Sequence, residues 1–125
     1  MDIVGLWDIC EVNAFDSDFN QVWRSVKDLE EDPEVPPIQK IMAKQRFMFE
    51  PDGRFLQLLP KGSSPSDGFK SYDDAHVISH VGHWKSEGGK IFVDSEQNGE
   101  RLWSEAVPVG DGFEILDFFR IVRPR

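Results

Sequence analysis

The sequence has 125 residues and a mass of 14.4 kDa, which is the size of one domain with its own hydrophobic core. It contains 14 lysine and arginine residues and 23 aspartate and glutamate residues, so the net charge is −9. This acidity argues against the basic surfaces that bind nucleic acids or anionic membranes. The hydrophobic content of 39% is typical of a folded chain, and the single cysteine, Cys10, permits neither an internal disulfide nor a cysteine-based zinc site.

The N-terminal sequence lacks the pattern of a targeting signal. The first basic residue is Arg24, and the apolar stretch at residues 3–7 is far too short to cross a membrane. Together with the free thiol, this pattern favours a cytoplasmic protein, although a secreted domain in its mature form would look the same.

Two elements are expected before the first hairpin, a strand at residues 3–12 and a helix at residues 19–29. The helix is indicated by apolar residues spaced three and four apart, and Asp18 resembles the cap that starts it. The apolar residues are Phe19, Val22, Trp23, Val26 and Leu29. Two polar loops, at residues 30–37 and 61–75, are natural positions for a mobile rim.

Four turn signals in the rest of the chain predict antiparallel hairpins. The turns are Pro51-Asp52-Gly53, Gly88-Gly89, Asn98-Gly99 and Gly110-Asp111-Gly112. They predict these opposed pairs: Phe49 with Phe55, Trp84 with Val93, Val93 with Ser104, and Val107 with Ile115, or with Leu116 if the last loop has two residues. Residues 77–123 are therefore expected to form a four-strand antiparallel meander.

Four short motifs occur in a recognisable order along the chain. They are Gly5-Leu6-Trp7, the hairpin from Phe49 to Phe55, Gly82-His83-Trp84 before a second hairpin, and the terminal Arg120-Ile121-Val122-Arg123. In this order they resemble the lipocalin-like, or calycin, barrels. The resemblance implies that Gly-x-Trp opens the first strand, that an up-and-down meander closes the barrel, and that a basic residue of the last strand packs on the tryptophan.

A helix between the first two strands is similar to the fatty-acid-binding proteins, in which helices cover the barrel. That family carries Arg-x-Tyr in its last strand, whereas Arg120 is followed here by Ile121 and Val122. The resemblance and the turns together predict a mainly β fold. It is a single antiparallel up-and-down, lipocalin-like barrel of about eight strands with one short helix, spanning residues 1–125.

The hairpin registers predict which side chains face the barrel interior, because opposed residues lie on the same face of a sheet. Starting from Trp84, the predicted interior set is Ile78, His80, Ile91, Val93, Ser95, Leu102, Ser104, Ala106, Leu116, Phe118 and Arg120. An apolar interior with a few polar groups is typical of a small-molecule site.

The candidate ligand-binding residues are Trp7, His80, Trp84, Ser104, Phe118 and Arg120. In one hypothesis, Arg120 binds the anionic or polar head of a ligand, and the aromatic side chains contact its apolar body. In the other, Arg120 stacks on Trp7 and only closes the barrel.

The predicted outer face is too apolar for complete exposure to solvent. It contains Phe92, Trp103, Val107, Phe113, Ile115 and Phe119. A packed helix, a homodimer through the face formed by Phe92, Trp103 and Phe119, or a bulge that reverses the register would each account for it. On the same face Glu105 is expected opposite Asp117, which is interpreted as an exposed pair rather than an acid/base pair.

The sequence therefore favours non-enzymatic binding of a small, partly apolar molecule inside a β-barrel. The alternative is a protein-interaction or self-associating module with a solid core and an apolar outer face. Neither hypothesis involves a catalytic residue, a cofactor or a metal, and the spacing of His76, His80 and His83 along one strand does not suit a single ion.

Overall fold

A computed structural model describes residues 3–15, 18–62 and 69–124, and it has a mainly β architecture with two short helices. The strands are β1 (Gly5–Phe15), β2 (Gln21–Ser25), β3 (Arg46–Phe49), β4 (Arg54–Pro60), β5 (Lys70–Ser71), β6 (His76–Glu87), β7 (Lys90–Gln97), β8 (Glu100–Val109), β9 (Gly112–Ile115) and β10 (Phe119–Val122). The helices are α1 (Val26–Glu31) and α2 (Pro37–Met42). Part of the predicted polar loop at residues 61–75 lies outside the described residues.

Eight of the described strands close into an antiparallel barrel, which confirms the predicted fold. Their order is β1-β3-β4-β6-β7-β8-β9-β10, and β10 pairs back with β1. The short strands β2 and β5 add to β1 and β6 respectively. Strands that are consecutive in the barrel are consecutive, or nearly so, along the chain, as expected for an up-and-down meander.

The turns that contain glycine set the predicted registers in three hairpins. Phe49 lies opposite Phe55, and Val93 lies opposite both Trp84 and Ser104. The fourth register is different, because Gly110 and Asp111 form the two-residue loop and Val109 lies opposite Gly112.

This fourth hairpin pairs Val107 with Glu114, so the predictions of Ile115 and of Leu116 as its partner are both wrong. The observed partner, Glu114, is one residue away from the predicted partner Ile115. Since the side-chain period of a strand is two, a shift of one residue moves every later side chain to the opposite face.

The last predicted strand is in fact two strands, so the meander has five strands instead of four. Leu116 and Asp117 have φ values of 56° and 61°, and the Phe118 N–H donates to the Ile115 carbonyl at 3.2 Å. Two central residues with positive φ are typical of a tight hairpin turn, but such turns are usually built from asparagine or glycine. The sequence therefore carried no signal for this turn.

The helix predicted at residues 19–29 is wrong in its first half. Residues 21–25 form β2 and pair with β1, and Asp18 does not cap a helix. The helix begins after Ser25, whose side chain accepts a hydrogen bond from the Asp28 N–H at 3.1 Å. The second helix starts with Pro37 in its first turn, a favoured proline position. No helix in the described part of the chain is long and apolar enough to cross a membrane.

One end of the barrel, which we call the closed half, is filled by buried aromatic and aliphatic side chains. Trp7 packs edge-on against Phe113 with ring centroids 5.4 Å apart, and Phe55 lies within 5.4 Å of Phe47 and 4.9 Å of Phe49. Ile3, Val93, Ala106, Ile115 and Ile121 complete this cluster. Such aromatic pairs contribute more than their buried area alone.

Arg123 covers the outer end of this cluster. Its guanidinium lies 4.1 Å from the Trp7 ring, and it donates to the carbonyl oxygens of Val4 at 2.9 Å and Leu6 at 3.4 Å. Trp7 in turn donates from Nε1 to the Ile3 carbonyl at 2.8 Å. The basic side chain that packs on the tryptophan is therefore Arg123, next to the end of β10, and not Arg120.

We expect Gly112→Ala to destabilise the protein by about 3 kcal/mol or more, because a Cβ at this position would overlap the backbone carbonyl of Ile121 in the neighbouring strand. Gly88→Ala is the control, since its Cβ would meet open space and only a positive φ of 61° opposes it. Its expected cost is about 1–2 kcal/mol. Urea unfolding of the two variants measures the difference, and equal losses would contradict the tight β9–β10 approach.

Candidate functional site

The other end of the barrel, which we call the open half, contains two adjoining recesses. The larger, of about 740 Å³, lies among α2, β4, β6 and the β7–β8 turn. The smaller, of about 550 Å³, lies among β1, both helices and the β9–β10 turn. Met42, Gln45 and Gln57 line both recesses. Each volume is within the range of about 300–1,000 Å³ that small-molecule sites occupy.

The walls of the open half are mainly apolar. The aliphatic and aromatic lining residues include Ile41, Leu59, Phe69 and Leu116 in the larger recess and Val12, Leu29, Phe118 and Phe119 in the smaller. Leu29, Val35 and Ala43 form a small buried cluster that anchors the helices against β1. The helices thus form part of the walls of both recesses.

Two glutamines are among the polar side chains that line both recesses. Gln45 is only 5% exposed, and Gln57 lies opposite Phe47 on the inward face. No described residue forms a hydrogen bond with either side-chain amide. Sequence reasoning missed both residues, although each alternates with inward-facing phenylalanines: Gln45 with Phe47, and Gln57 with Phe55.

The turn between β9 and β10 borders both recesses. Leu116 lines the larger recess and Phe118 the smaller, on either side of Asp117. Asn13 holds the turn by donating from its backbone N–H to the Phe118 carbonyl at 2.8 Å and from Nδ2 to the Asp117 carbonyl at 3.2 Å. A leucine with positive φ is strained, and such strain is concentrated at functional sites.

Ion pairs neutralise the charged group at the edge of the smaller recess. Arg24 contacts Asp28 at 2.7 Å and Asp32 at 3.0 Å. The backbone N–H of Glu34 and the Arg24 guanidinium together hold the pKa of Asp32 below its usual range. Arg24 and Asp32 therefore both remain charged at neutral pH.

A third recess of about 280 Å³ lies where β6 and β7 diverge, and it shares His80, Asp94, Ser95 and Gly99 with the larger recess. Their pairing runs from Glu87 opposite Lys90 to Trp84 opposite Val93. Beyond this point the buried carboxylate of Asp94 bridges the strands: it accepts a hydrogen bond from the backbone N–H of His83 at 2.7 Å and forms an ion pair with Arg101 Nε at 3.1 Å.

The imidazole of His83 lies 3.2 Å from the same Asp94 carboxylate. The two-residue turn at Gly88-Gly89, extended along both strands, places Asp94 opposite His83 and predicts a surface contact. Asp94 is only 8% exposed, however, so the carboxylate is buried and linked to both strands. A buried carboxylate requires such partners.

Of the six predicted ligand-binding residues, two line the open half. His80 borders the larger recess and Phe118 the smaller. Trp7 and Trp84 belong to the closed half, where Trp84 Nε1 donates to the Glu50 carbonyl at 2.8 Å. Ser104 lies opposite Val93, and its buried Oγ has no hydrogen-bond partner among the described residues.

Arg120 lies on the outer face, so its predicted interior position is wrong. Its guanidinium stacks 4.1 Å from the Trp23 ring and lies 3.3 Å from Glu11 and 3.4 Å from Glu114. The cause is the one-residue shift at Gly110, which pairs Arg120 with the outward-facing Glu114. A second shift, between Gln57 and Leu58, pairs Ile78 with Leu58 and removes Ile78 from the predicted interior set.

Because of the same one-residue shift at Gly110, half of the predicted outer face is wrong. Phe113, Ile115 and Phe119 point into the barrel, and Phe119 lies 5.5 Å from Phe47. Phe119 therefore cannot belong to the predicted homodimer surface. Phe92 and Trp103 remain on the outer face, where Lys85 Nζ lies 4.5 Å from the Trp103 ring.

Glu105 and Asp117 do not face each other. Glu105 lies opposite Phe92 and 3.8 Å from Lys90, whereas Asp117 is in the β9–β10 turn.

Burial, followed by the neighbouring Glu11 carboxylate, raises the pKa of the Cys10 thiol. This thiol donates to the backbone carbonyl of Arg120 at 3.3 Å.

No group of metal-binding side chains occurs within residues 3–15, 18–62 and 69–124.

The sequence matches no protein-family model, no curated protein and no solved structure.

We expect Arg120→Ala to lower the free energy of unfolding by about 1–2 kcal/mol, because it removes the stacking on Trp23 and two partly exposed ion pairs. Affinity for an apolar probe should not change, since Arg120 lies outside the barrel. Urea unfolding and probe titration measure the two effects, with Arg54→Ala as a control that loses only exposed ion pairs. A large loss of probe affinity in Arg120→Ala alone would restore the anchor hypothesis.

Proposed function

We propose that the protein is a lipocalin-like binding protein that holds a small, largely apolar molecule in the open half of its barrel. The observation that carries this proposal is the contrast between the two halves. The closed half is filled by Trp7 and the phenylalanine cluster, whereas the open half leaves recesses of about 740 and 550 Å³. A barrel that only served as a solid scaffold would be filled along its whole length.

The composition of the walls supports binding of an amphipathic molecule. Apolar side chains are the majority in the smaller recess, and in the larger recess they lie beside a similar number of polar side chains. This is the combination that buries an apolar body and fixes its orientation. The helices and the strained Leu116–Asp117 turn border the recesses, so the least regular parts of the chain surround the proposed site.

The Arg123–Trp7 contact supports the calycin-like part of the proposal. In the resemblance, a basic residue of the last strand packs on the tryptophan of Gly-x-Trp. Here Arg123 packs on Trp7 at 4.1 Å, and Gly5 has a φ of 124° next to the guanidinium. This positive φ, which L side chains rarely adopt, accounts for glycine at this position.

We expect the protein to bind N-phenyl-naphthylamine, a neutral probe that fluoresces in apolar surroundings. The double variant Ala14→Trp/Ser95→Trp places indole rings in the smaller and larger recesses, and the affinity should fall about tenfold or more. The control Glu87→Trp/Asp111→Trp changes two exposed positions at the closed end and should keep the wild-type affinity.

Fluorescence titration measures these affinities, and native mass spectrometry of freshly purified protein tests for a co-purified small molecule. Wild-type protein that binds no probe and carries no small molecule would refute the proposal. Equal affinity in the two double variants would place the probe outside the recesses, with the same consequence.

A second function, self-association, is favoured by the outer face of β8. Trp103, Val107 and Val109 alternate along this strand, and each is 36–42% exposed. If this face pairs with a second copy, sedimentation should show a dimer at high concentration, and Trp103→Glu should abolish it. A monomer at all concentrations would rule out this function.

A further inference from the structure

We propose that the ligand carries a neutral hydrogen-bonding head, a hydroxyl or a carboxamide, which binds the side-chain amide of Gln45. This inference rests on the proposed function and specifies the chemistry of the same site. Gln45 is 95% buried and lines both recesses, yet no described residue forms a hydrogen bond with its amide. Among the described residues, Ser104 Oγ is the side-chain atom that is fully buried without a partner, so the Gln45 amide reaches the recesses and is open to a hydrogen bond from a bound molecule.

The polar character of the site extends from Gln45 to its neighbours. Gln57 lines the same two recesses. The neighbouring Ser79 Oγ donates to the backbone carbonyl of Gln57 at 3.1 Å, which leaves the side-chain amide of Gln57 without a partner among the described residues. A glutamine side chain offers both a carbonyl acceptor and an NH₂ donor. A hydroxyl or carboxamide head, which also donates and accepts, would satisfy both groups.

The charges around the recesses disfavour an anionic head. Arg24 is the cationic side chain among the described lining residues, and two carboxylates, those of Asp28 and Asp32, already neutralise it. The Asp94 carboxylate is likewise engaged, by Arg101 and His83. A buried carboxylate head would therefore lack a free cation among these residues, and the net charge of −9 would repel it.

The test compares ligands that share a ten-carbon chain and differ in the head. Decanol, decanamide, methyl decyl ether and decanoate compete with N-phenyl-naphthylamine at neutral pH. Decanol and decanamide should bind about tenfold more tightly than the ether and decanoate, because only their heads both donate to and accept from the amide without bringing in a charge. The ether controls for burial of the chain with an oxygen that accepts a hydrogen bond but cannot donate one. If the ether or decanoate binds as tightly as decanol, the inference is overturned.

Gln45→Met tests the role of the residue itself. Methionine has a similar length but no amide, so the affinity for decanol and decanamide should fall about tenfold, and that for the ether should fall less because its oxygen only accepts a hydrogen bond. The melting temperature should stay the same or rise, because the variant removes a polar group that forms no hydrogen bond with a described residue. A residue needed only for packing would instead lower the melting temperature and weaken all four ligands equally, which would overturn the inference.

Gln21→Met is the matched control, since Gln21 is an exposed glutamine on β2 and should change none of these affinities. The head-group comparison in the wild-type protein needs no variant, so a folding failure of Gln45→Met leaves the inference falsifiable. The two proposals fail differently. Absence of probe binding refutes the proposed function, whereas probe binding without a preference for a neutral polar head refutes only the inference about Gln45.

Discussion

The pairing of β10 with β1 is the interaction on which the rest of the structure depends. It joins residues 8–12 to residues 119–122 and turns an open meander into a closed wall. Once the wall is closed, each strand residue faces either the enclosed space or the outside, so the alternation of side chains assigns every one of them a position. Trp7 reaches its 1% exposure because both neighbours of β1 and the Arg123 guanidinium surround it.

The sequence predicts this fold well wherever a turn residue has a single structural role. Asn98-Gly99 and Gly88-Gly89 specify two-residue turns, and their registers are confirmed. The segment Gly110-Asp111-Gly112 is compatible with a loop of two residues or of three. A shift of one residue in this register decides whether Arg120 and Phe119 face the barrel interior or the outside. The Leu116–Asp117 turn lacks glycine altogether, because contacts from Asn13 on a distant strand stabilise it. Such tertiary contacts cannot be read from local sequence.

The candidate site is only partly predictable for the same reason. His80 was identified from strand alternation, and it lines the larger recess. Phe118 was assigned to the interior from a register that is wrong, and it lines the smaller recess because it lies in the β9–β10 turn. Gln45 follows the same alternation as Phe47 and Phe49, so its inward position was available from the sequence. The role of Gln45 in the proposed site could not be predicted from the sequence. That role depends on α2 and β4, which surround the side chain without forming a hydrogen bond with its amide. The apolar pattern around Trp23 also fits a helix and a strand equally well until β1 supplies a partner strand.

The bridging role of Asp94 gives the barrel wall a line of weakness. The backbone pairing covers residues 54–60 between β4 and β6 and residues 91–97 between β7 and β8, but between β6 and β7 it ends at Trp84 and Val93, where the Asp94 carboxylate takes over. Segments with few backbone hydrogen bonds open at a lower free energy than a packed core, so we expect amide hydrogens along this seam to exchange before those beside Trp7. Beyond Trp84, the junction of β6 and β7 thus depends on the two contacts of His83 with a single side chain.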